Sequence, residues 1–216
     1  MINIVFDMDG ILFDTERLSM ESWRQAALQM ELGDIEEGIY GCIGLNRTDC
    51  RILMKRLYGE AFPYEQFIAC NSALFQERVE REGLPVKKGA SWLLAWLKER
   101  GAKIALASST RVASVKSHLD RAGFAPYFQV VVGGDMVEHS KPCPDIYLLA
   151  CSMLNVDPCR TIAVEDSPNG IRSAHAAGML PVMIPDMVEP TPELEALLYK
   201  KFNDLLELKE FLENGE

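Results

Sequence analysis

Asn3-Ile4-Val5-Phe6-Asp7-Met8-Asp9-Gly10 runs a short apolar segment into two acids two residues apart, then a glycine, with Ile11-Leu12-Phe13-Asp14-Thr15 following. Side chains at i and i+2 leave an extended chain on the same side, so Asp7 and Asp9 can face one point beyond a strand's carboxyl end. Gly10 lets the backbone turn there without a Cβ penalty. In an open α/β sheet ligands bind at that edge, and two carboxylates held together repel unless something lies between them. The pair calls for a metal ion, a shared proton, or both.

Outward from this stretch the pattern changes twice. From Glu16 to Leu32 apolar residues recur at Leu18, Trp23, Ala26, Ala27 and Met30, the stripe of a helix. Arg51 to Leu57 and Tyr64 to Glu82 read as further helices, and no strand-like alternation occurs between Thr15 and Glu82. By typical helix lengths this is an insert of about four helices. After Gly83-Leu84-Pro85 a helix over Trp92 to Arg100, closed by Gly101, leads to a buried strand over Lys103 to Ala107. The order then recurs. A helix over Val112 to Ala122 precedes a strand over Phe128 to Val132, and Asp145 to Leu154 precedes Thr161 to Val164. Asn169 to Ala177 precedes Leu180 to Ile184, and the acidic run from Thr191 to Leu212 is expected to be helical. Strands alternating with helices of about ten residues predict right-handed crossovers and a parallel sheet covered on both faces. The first strand therefore belongs with the second half of the chain. The expected division is an α/β core over residues 1–14 and 85–216, with a helical cap over 15–84.

With 216 residues, 48% hydrophobic and 25% charged, the chain can bury a core domain and a smaller companion. A net charge of -10 argues against nucleic-acid and anionic-membrane partners, whose phosphates draw on clustered Lys and Arg. It leaves room for a small phosphorylated molecule, because one local cation can reverse the field inside a cleft. The six cysteines contain no C-x-x-C pair, and His118, His139 and His175 form no H-E-x-x-H helix. Free and mostly buried thiols in a reducing cytoplasm are the expectation. Asp7 and Asp9 sit where a signal peptide needs basic and then apolar residues, and no window approaches the ~18 apolar residues of a membrane span. A monomeric cytoplasmic protein is expected.

Parallel strands present their carboxyl ends on one edge, so residues far apart in sequence should converge there. The first strand brings Asp7 and Asp9, the second Ser108-Ser109-Thr110, the third Gly133-Gly134-Asp135 and then Lys141-Pro142, the fourth Glu165-Asp166-Ser167. Thr110 is expected to cap the helix that begins near Val112, leaving Ser108 as the better phosphate ligand.

The set Asp7-x-Asp9-Gly10, Ser108, Lys141-Pro142 and Glu165-Asp166-Ser167-x-x-Gly170 resembles the haloacid dehalogenase superfamily. More narrowly, it is similar to the phosphatases and β-phosphoglucomutases that carry a helical cap after the first motif. The resemblance covers essentially the whole chain and implies a Rossmann-like core. It further implies Asp7 as a nucleophile that forms an aspartyl phosphate and Asp9 as the carrier of the proton to the leaving oxygen. Mg²⁺ would be held by Asp7, Asp166 and the backbone carbonyl of Asp9, with Glu165 behind these ligands or reaching the ion through a water. Lys141, Ser108 and Ser109 would bind the phosphoryl oxygens.

Selectivity should come from the cap, whose segment Gly41-Cys42-Ile43-Gly44-Leu45-Asn46-Arg47 offers Arg47 and Asn46 as substrate-reading residues in a lid over the site. The resembling mutases carry a histidine five residues after the Asp-Thr aspartate and a lysine in the third cap helix. Here Ser19 stands at the first position and Cys70-Asn71 near the second. Their absence favours hydrolysis, so the expected activity is a phosphatase of small metabolites such as sugar phosphates or nucleotides. A β-phosphoglucomutase is the alternative, and a phospho-aspartate signalling receiver a third, disfavoured because its acceptor follows a later strand than its acidic pair.

Overall fold

The computed structural model describes residues 2–42 and 47–215. It divides into two compact units, one of Met1–Asp14 with Leu84–Glu216, the other of Thr15–Gly83.

In chain order the first unit contains β1 (Asn3–Phe6), and the second unit follows with α1 (Thr15–Gln29), α2 (Glu36–Gly41), α3 (Arg47–Tyr58) and α4 (Tyr64–Glu82). The first unit resumes with α5 (Ala90–Glu99), β2 (Lys103–Ser108), α6 (Val112–Arg121), β3 (Val130–Gly133), α7 (Asp145–Leu154) and β4 (Ile162–Glu165). It closes with α8 (Pro168–Ala176), β5 (Leu180–Met183), α9 (Pro192–Glu195), β6 (Lys200–Lys201) and α10 (Leu205–Asn214). The sheet order is β3-β2-β1-β4-β5-β6 and every pairing is parallel. The order runs one way from β1 to β3 and the other way from β4 to β6. The switch point, where such sheets bind ligands, therefore lies between β1 and β4.

Alternation along the strands separates two apolar layers. Ile4, Phe6, Ile104, Leu106 and Val164 face the layer that includes residues of α5, α6 and α10. Val5, Ala105, Ala107, Val132 and Ala163 face the layer that includes α7. The alanines leave space on that face, and Tyr147 of α7 fills part of it without any exposed surface. The inserted unit has its own core of Met20, Ala26, Ile39, Met54 and Phe67, with Trp23 edge-on to Phe67 at 5.2 Å. No helix among the described residues is long and apolar enough to cross a membrane.

Two expectations need correction. The stretch from Thr191 to Leu212 is not one helix: Tyr199 N and Phe202 N donate to Pro181 O and Met183 O of β5, and Lys200–Lys201 becomes a sixth strand. Satisfying the open backbone groups of β5 outweighs helix propensity there. The thiols are all free, but only Cys42, Cys50 and Cys151 are buried, while Cys70 is partly covered and Cys143 and Cys159 are exposed.

Candidate active site

The register fixes the site. Phe6 is level with Leu106 on one side and Val164 on the other, and Asp7 N still donates to Val164 O at 2.9 Å. Asp7, Ala107 and Glu165 thus emerge together at the sheet's carboxyl edge. Beyond Asp7 the chain folds into a tight loop, with Leu12 N donating to Met8 O and Gly10 N to Phe13 O, both at 2.9 Å.

Lys141 enters from the segment between β3 and α7. Its Nζ donates to Asp7 Oδ1 and Glu165 Oε1, each at 2.6 Å, and to Ala107 O at 3.1 Å, which accounts for all three ammonium hydrogens. The lysine side chain is 7% exposed and Glu165 not at all. Glu165 accepts further bonds from Tyr147 Oη at 2.6 Å (to Oε1) and from Ser167 Oγ and N at 3.1 and 3.4 Å (to Oε2). Four donors saturate this carboxylate.

Two glycines make room for the acids. Gly10 has φ +75°, and a Cβ there would lie 2.1 Å from Asp166 Oδ2. A Cβ on Gly170 would lie 1.9 to 2.0 Å from the carboxyl atoms of Glu165. Gly10 thus supplies space for a carboxylate of the fourth motif, and Gly170 for a carboxylate of its own motif.

Carboxylate oxygens of Asp7, Glu165 and Asp166 lie within 4.8 Å of one another. With all three ionised, the acids exceed the one lysine by two negative charges, and an all-oxygen donor set suits a hard cation such as Mg²⁺. Burial first, and then charge, shows in the titration of its members. Burial pushes Asp7 up to about 8, with Lys141 opposing and Glu165 and Asp9 adding to the rise. Burial by itself would lower Lys141, but the fields of Asp7 and Glu165 outweigh it and the net direction is up. Tyr147 is held well above its ordinary value, first by burial and then by Glu165.

Asp9 stands apart from this acidic group. Its Oδ2 accepts from Ser108 Oγ at 3.5 Å and Thr110 Oγ1 at 3.3 Å, and Ser108 Oγ accepts from Thr110 N at 3.1 Å. Thr110 is therefore not the cap of α6, as its sequence position suggests. The first amide of that helix, Val112 N, donates instead to Asp135 Oδ1 at 2.8 Å, across from the end of β3. Ser109 is exposed, and a Cβ on Gly134 would lie 2.2 Å from its carbonyl oxygen.

In the inserted unit, exposed Arg47 donates from Nη2 to Glu65 Oε2 at 2.7 Å, and Asn46 lies outside the described residues. Asp135 stands among the polar strand ends expected from the sequence, but its bond to the start of α6 does not follow from it, and Tyr147 is not foreseen at all. An Asp two residues beyond a strand end carries no sign of which helix it serves. A lone tyrosine in an apolar helix carries no sign that its hydroxyl meets a carboxylate.

Comparison with known proteins bears on the same residues. The haloacid dehalogenase-like hydrolase family matches residues 4–184, from within β1 to the end of β5. A phosphorylated carbohydrates phosphatase of Thermotoga maritima is 34% identical over 184 residues, covering 82% of this chain and 81% of that protein. A beta-phosphoglucomutase of Bacillus subtilis is 30% identical over 188 residues, covering 83% and 81%. Among solved structures, a Thermotoga maritima protein named provisionally as a beta-phosphoglucomutase superposes with a TM-score of 0.83 at 28% identity, over 99% of each chain. A match that starts in the strand carrying Asp7 and extends past Gly170 takes in every motif at the sheet edge: the chain belongs to the haloacid dehalogenase-like hydrolases, as a phosphatase of the β-phosphoglucomutase-like branch.

Proposed function

We propose that the protein is a magnesium-dependent phosphatase of small phosphorylated metabolites, sugar phosphates foremost, acting through an aspartyl phosphate on Asp7. The observation that carries this reading is the buried Lys141, held at 2.6 Å from both Asp7 and Glu165 beside a third carboxylate, Asp166. The phosphatase from Thermotoga maritima supports the choice of phosphorylated carbohydrates.

A carboxylate oxygen of Asp7 attacks phosphorus, the bond from phosphorus to the ester oxygen breaks, and Asp9 gives the departing alkoxide its proton. Water then attacks the aspartyl phosphate and passes a proton to Asp9, which releases inorganic phosphate and restores Asp7. Lys141 stabilises the charge on the phosphoryl oxygens, and the Ser108 hydroxyl with the backbone N–H groups beside it binds the others. Ser108 and Thr110 also hold Asp9 in place. Asp7 and Asp166, with the backbone carbonyl of Asp9, are the residues that would hold Mg²⁺, whose positive charge lets a carboxylate approach a phosphate dianion. Glu165, already saturated by protein donors, serves to hold Lys141.

Arg47 and Asn46 remain the residues proposed to read the substrate. The Bacillus subtilis relative keeps sugar-phosphate mutation as a second reading. Ser19 and Cys70-Asn71 weigh against it, because they lack the histidine and lysine of the resembling mutases. The receiver alternative falls with the family match.

Release of phosphate from p-nitrophenyl phosphate should require Mg²⁺, cease when the ion is chelated, and fall by about a thousandfold or more in Asp7→Asn. Undiminished turnover in that variant would overturn the assignment of the nucleophile. Conversion of β-glucose 1-phosphate to glucose 6-phosphate, supplied with a bisphosphate activator, should be absent. Its appearance would move the reading to a mutase.

A further inference from the structure

Tyr147 occupies a place that core packing alone does not explain. It is the third residue of α7, entirely buried among Val5, Ala105, Ala107, Val132 and Ala163, where a phenylalanine would fill nearly the same volume. Yet its hydroxyl donates to Glu165 Oε1 at 2.6 Å, the same oxygen that accepts from Lys141 at 2.6 Å. Its ring face also lies 5.0 Å from Lys141 Nζ. One side chain thus meets the lysine twice, through the negative face of its ring and through the carboxylate that anchors the ammonium.

We propose that Tyr147 is a positioning residue for phosphoryl transfer, fixing the Glu165 carboxylate and with it the direction of the Lys141 ammonium toward Asp7. This rests on the reading of Lys141 as the group that stabilises the transferring phosphoryl. The Lys141 chain has four rotatable bonds, and its ammonium must stay within hydrogen-bond reach of Asp7 while charge develops on the phosphoryl oxygens. Ser167 and Gly170 hold the far side of Glu165, through Oε2 and through the missing Cβ. Tyr147 holds the near side, at the oxygen Lys141 uses. Without its hydroxyl, Oε1 loses a short charge-assisted bond and the carboxylate can rotate, carrying the ammonium with it. The consequence falls on the transition state more than on ground-state binding, so kcat should suffer while KM does not.

The test compares Tyr147→Phe, Lys141→Met, Glu165→Gln and the Tyr147→Phe/Glu165→Gln double variant of the full chain, assayed with p-nitrophenyl phosphate and saturating Mg²⁺. Tyr147→Phe should lower kcat about tenfold, the loss of one hydrogen bond to a charged group, with KM within about twofold of wild type. Its Tm should stay within a few degrees of wild type. In the Glu165→Gln background the same substitution should have little further effect, because the hydroxyl acts through that carboxylate. Wild-type kcat in Tyr147→Phe alongside a crippled Lys141→Met would overturn the proposal and leave the lysine's role standing. Undiminished hydrolysis in Lys141→Met would remove the premise and the proposal with it. A loss of equal size in both backgrounds would make Tyr147 a packing residue, as would a rise in KM without a fall in kcat.

Discussion

At Gly170 a methyl group would meet the carboxyl atoms of Glu165 at 1.9 to 2.0 Å. A flexible side chain could swing away, but this one is held by Lys141, Tyr147 and Ser167. Gly170→Ala must therefore displace either the carboxylate or the start of α8. We expect a destabilisation of about 1–3 kcal/mol, the usual range for overpacking, together with at least a tenfold loss of kcat. Thermal melts and p-nitrophenyl phosphate turnover on the same preparation measure both, and a variant with native Tm and native kcat would show that the pocket has slack. At this scale the acids and the lysine are legible in the sequence, because polar residues follow several apolar strands in turn and parallel strands bring those ends to one edge. The space between them is not. The glycine of Glu165-Asp166-Ser167-x-x-Gly170 is visible as a letter, but its reason, a carboxylate where its Cβ would be, exists only after the chain folds.

Among the elements, α10 shows how a helix end is set. Asp204 accepts from Leu206 N at 2.8 Å and Glu207 N at 3.1 Å, so it serves two of the four amides that a helix start leaves open. Partial burial works to raise its pKa, but the Glu207 amide, Lys88 and the Leu206 amide outweigh it, and the carboxyl is held below its ordinary value. A depressed pKa gives stability that is present above the unfolded-state value and is lost as pH falls through the folded one. Asp204→Ala should thus cost about 1 kcal/mol at neutral pH, as cap removals do. The gap from wild type should close as pH drops below about 3.9. Urea melts at neutral pH and near pH 3 check this, and a gap that persists unchanged in acid would refute the ionised cap. The exposed Lys88 partner should matter little. Helices with an uninterrupted apolar stripe, such as α4 and α7, have the bounds that periodicity predicts. The ends that depend on distant groups do not: Asp135 serves α6 in place of Thr110, and β6 interrupts a run of helix-forming residues. Local propensity amounts to tenths of a kcal/mol per residue, whereas an unpaired buried backbone group costs more, so the distant partner prevails.

For the molecule as a whole, β1 sits between β2 and β4 although 96 residues separate Phe6 from Lys103, arithmetic that leaves the whole inserted unit in between. The insertion leaves the first unit at one place. Asp14 N donates to Pro85 O at 2.8 Å, and Phe13 bridges Val86. Each unit also has its own buried cluster. Replacing residues 15–83 with a linker of about four residues should therefore give a first unit that folds cooperatively, since connections of that length join adjacent elements. Circular dichroism and a urea melt test it: a single sharp transition is expected, with an m-value reduced in step with the smaller buried surface. A broad, non-cooperative transition would show that the first unit needs the second in order to fold.

The sequence by itself determined the parallel sheet, the insert of helices and the set of polar strand ends, because periodicity, turn residues and chain order are local properties. Tertiary structure alone decided which oxygen meets which donor. It joined Tyr147 and Lys141 on one Glu165 oxygen, drew Thr110 to Asp9 and Asp135 to Val112, and fitted two carboxylates against two glycines. Those choices depend on distances between strands far apart in the chain, and only packing sets such distances.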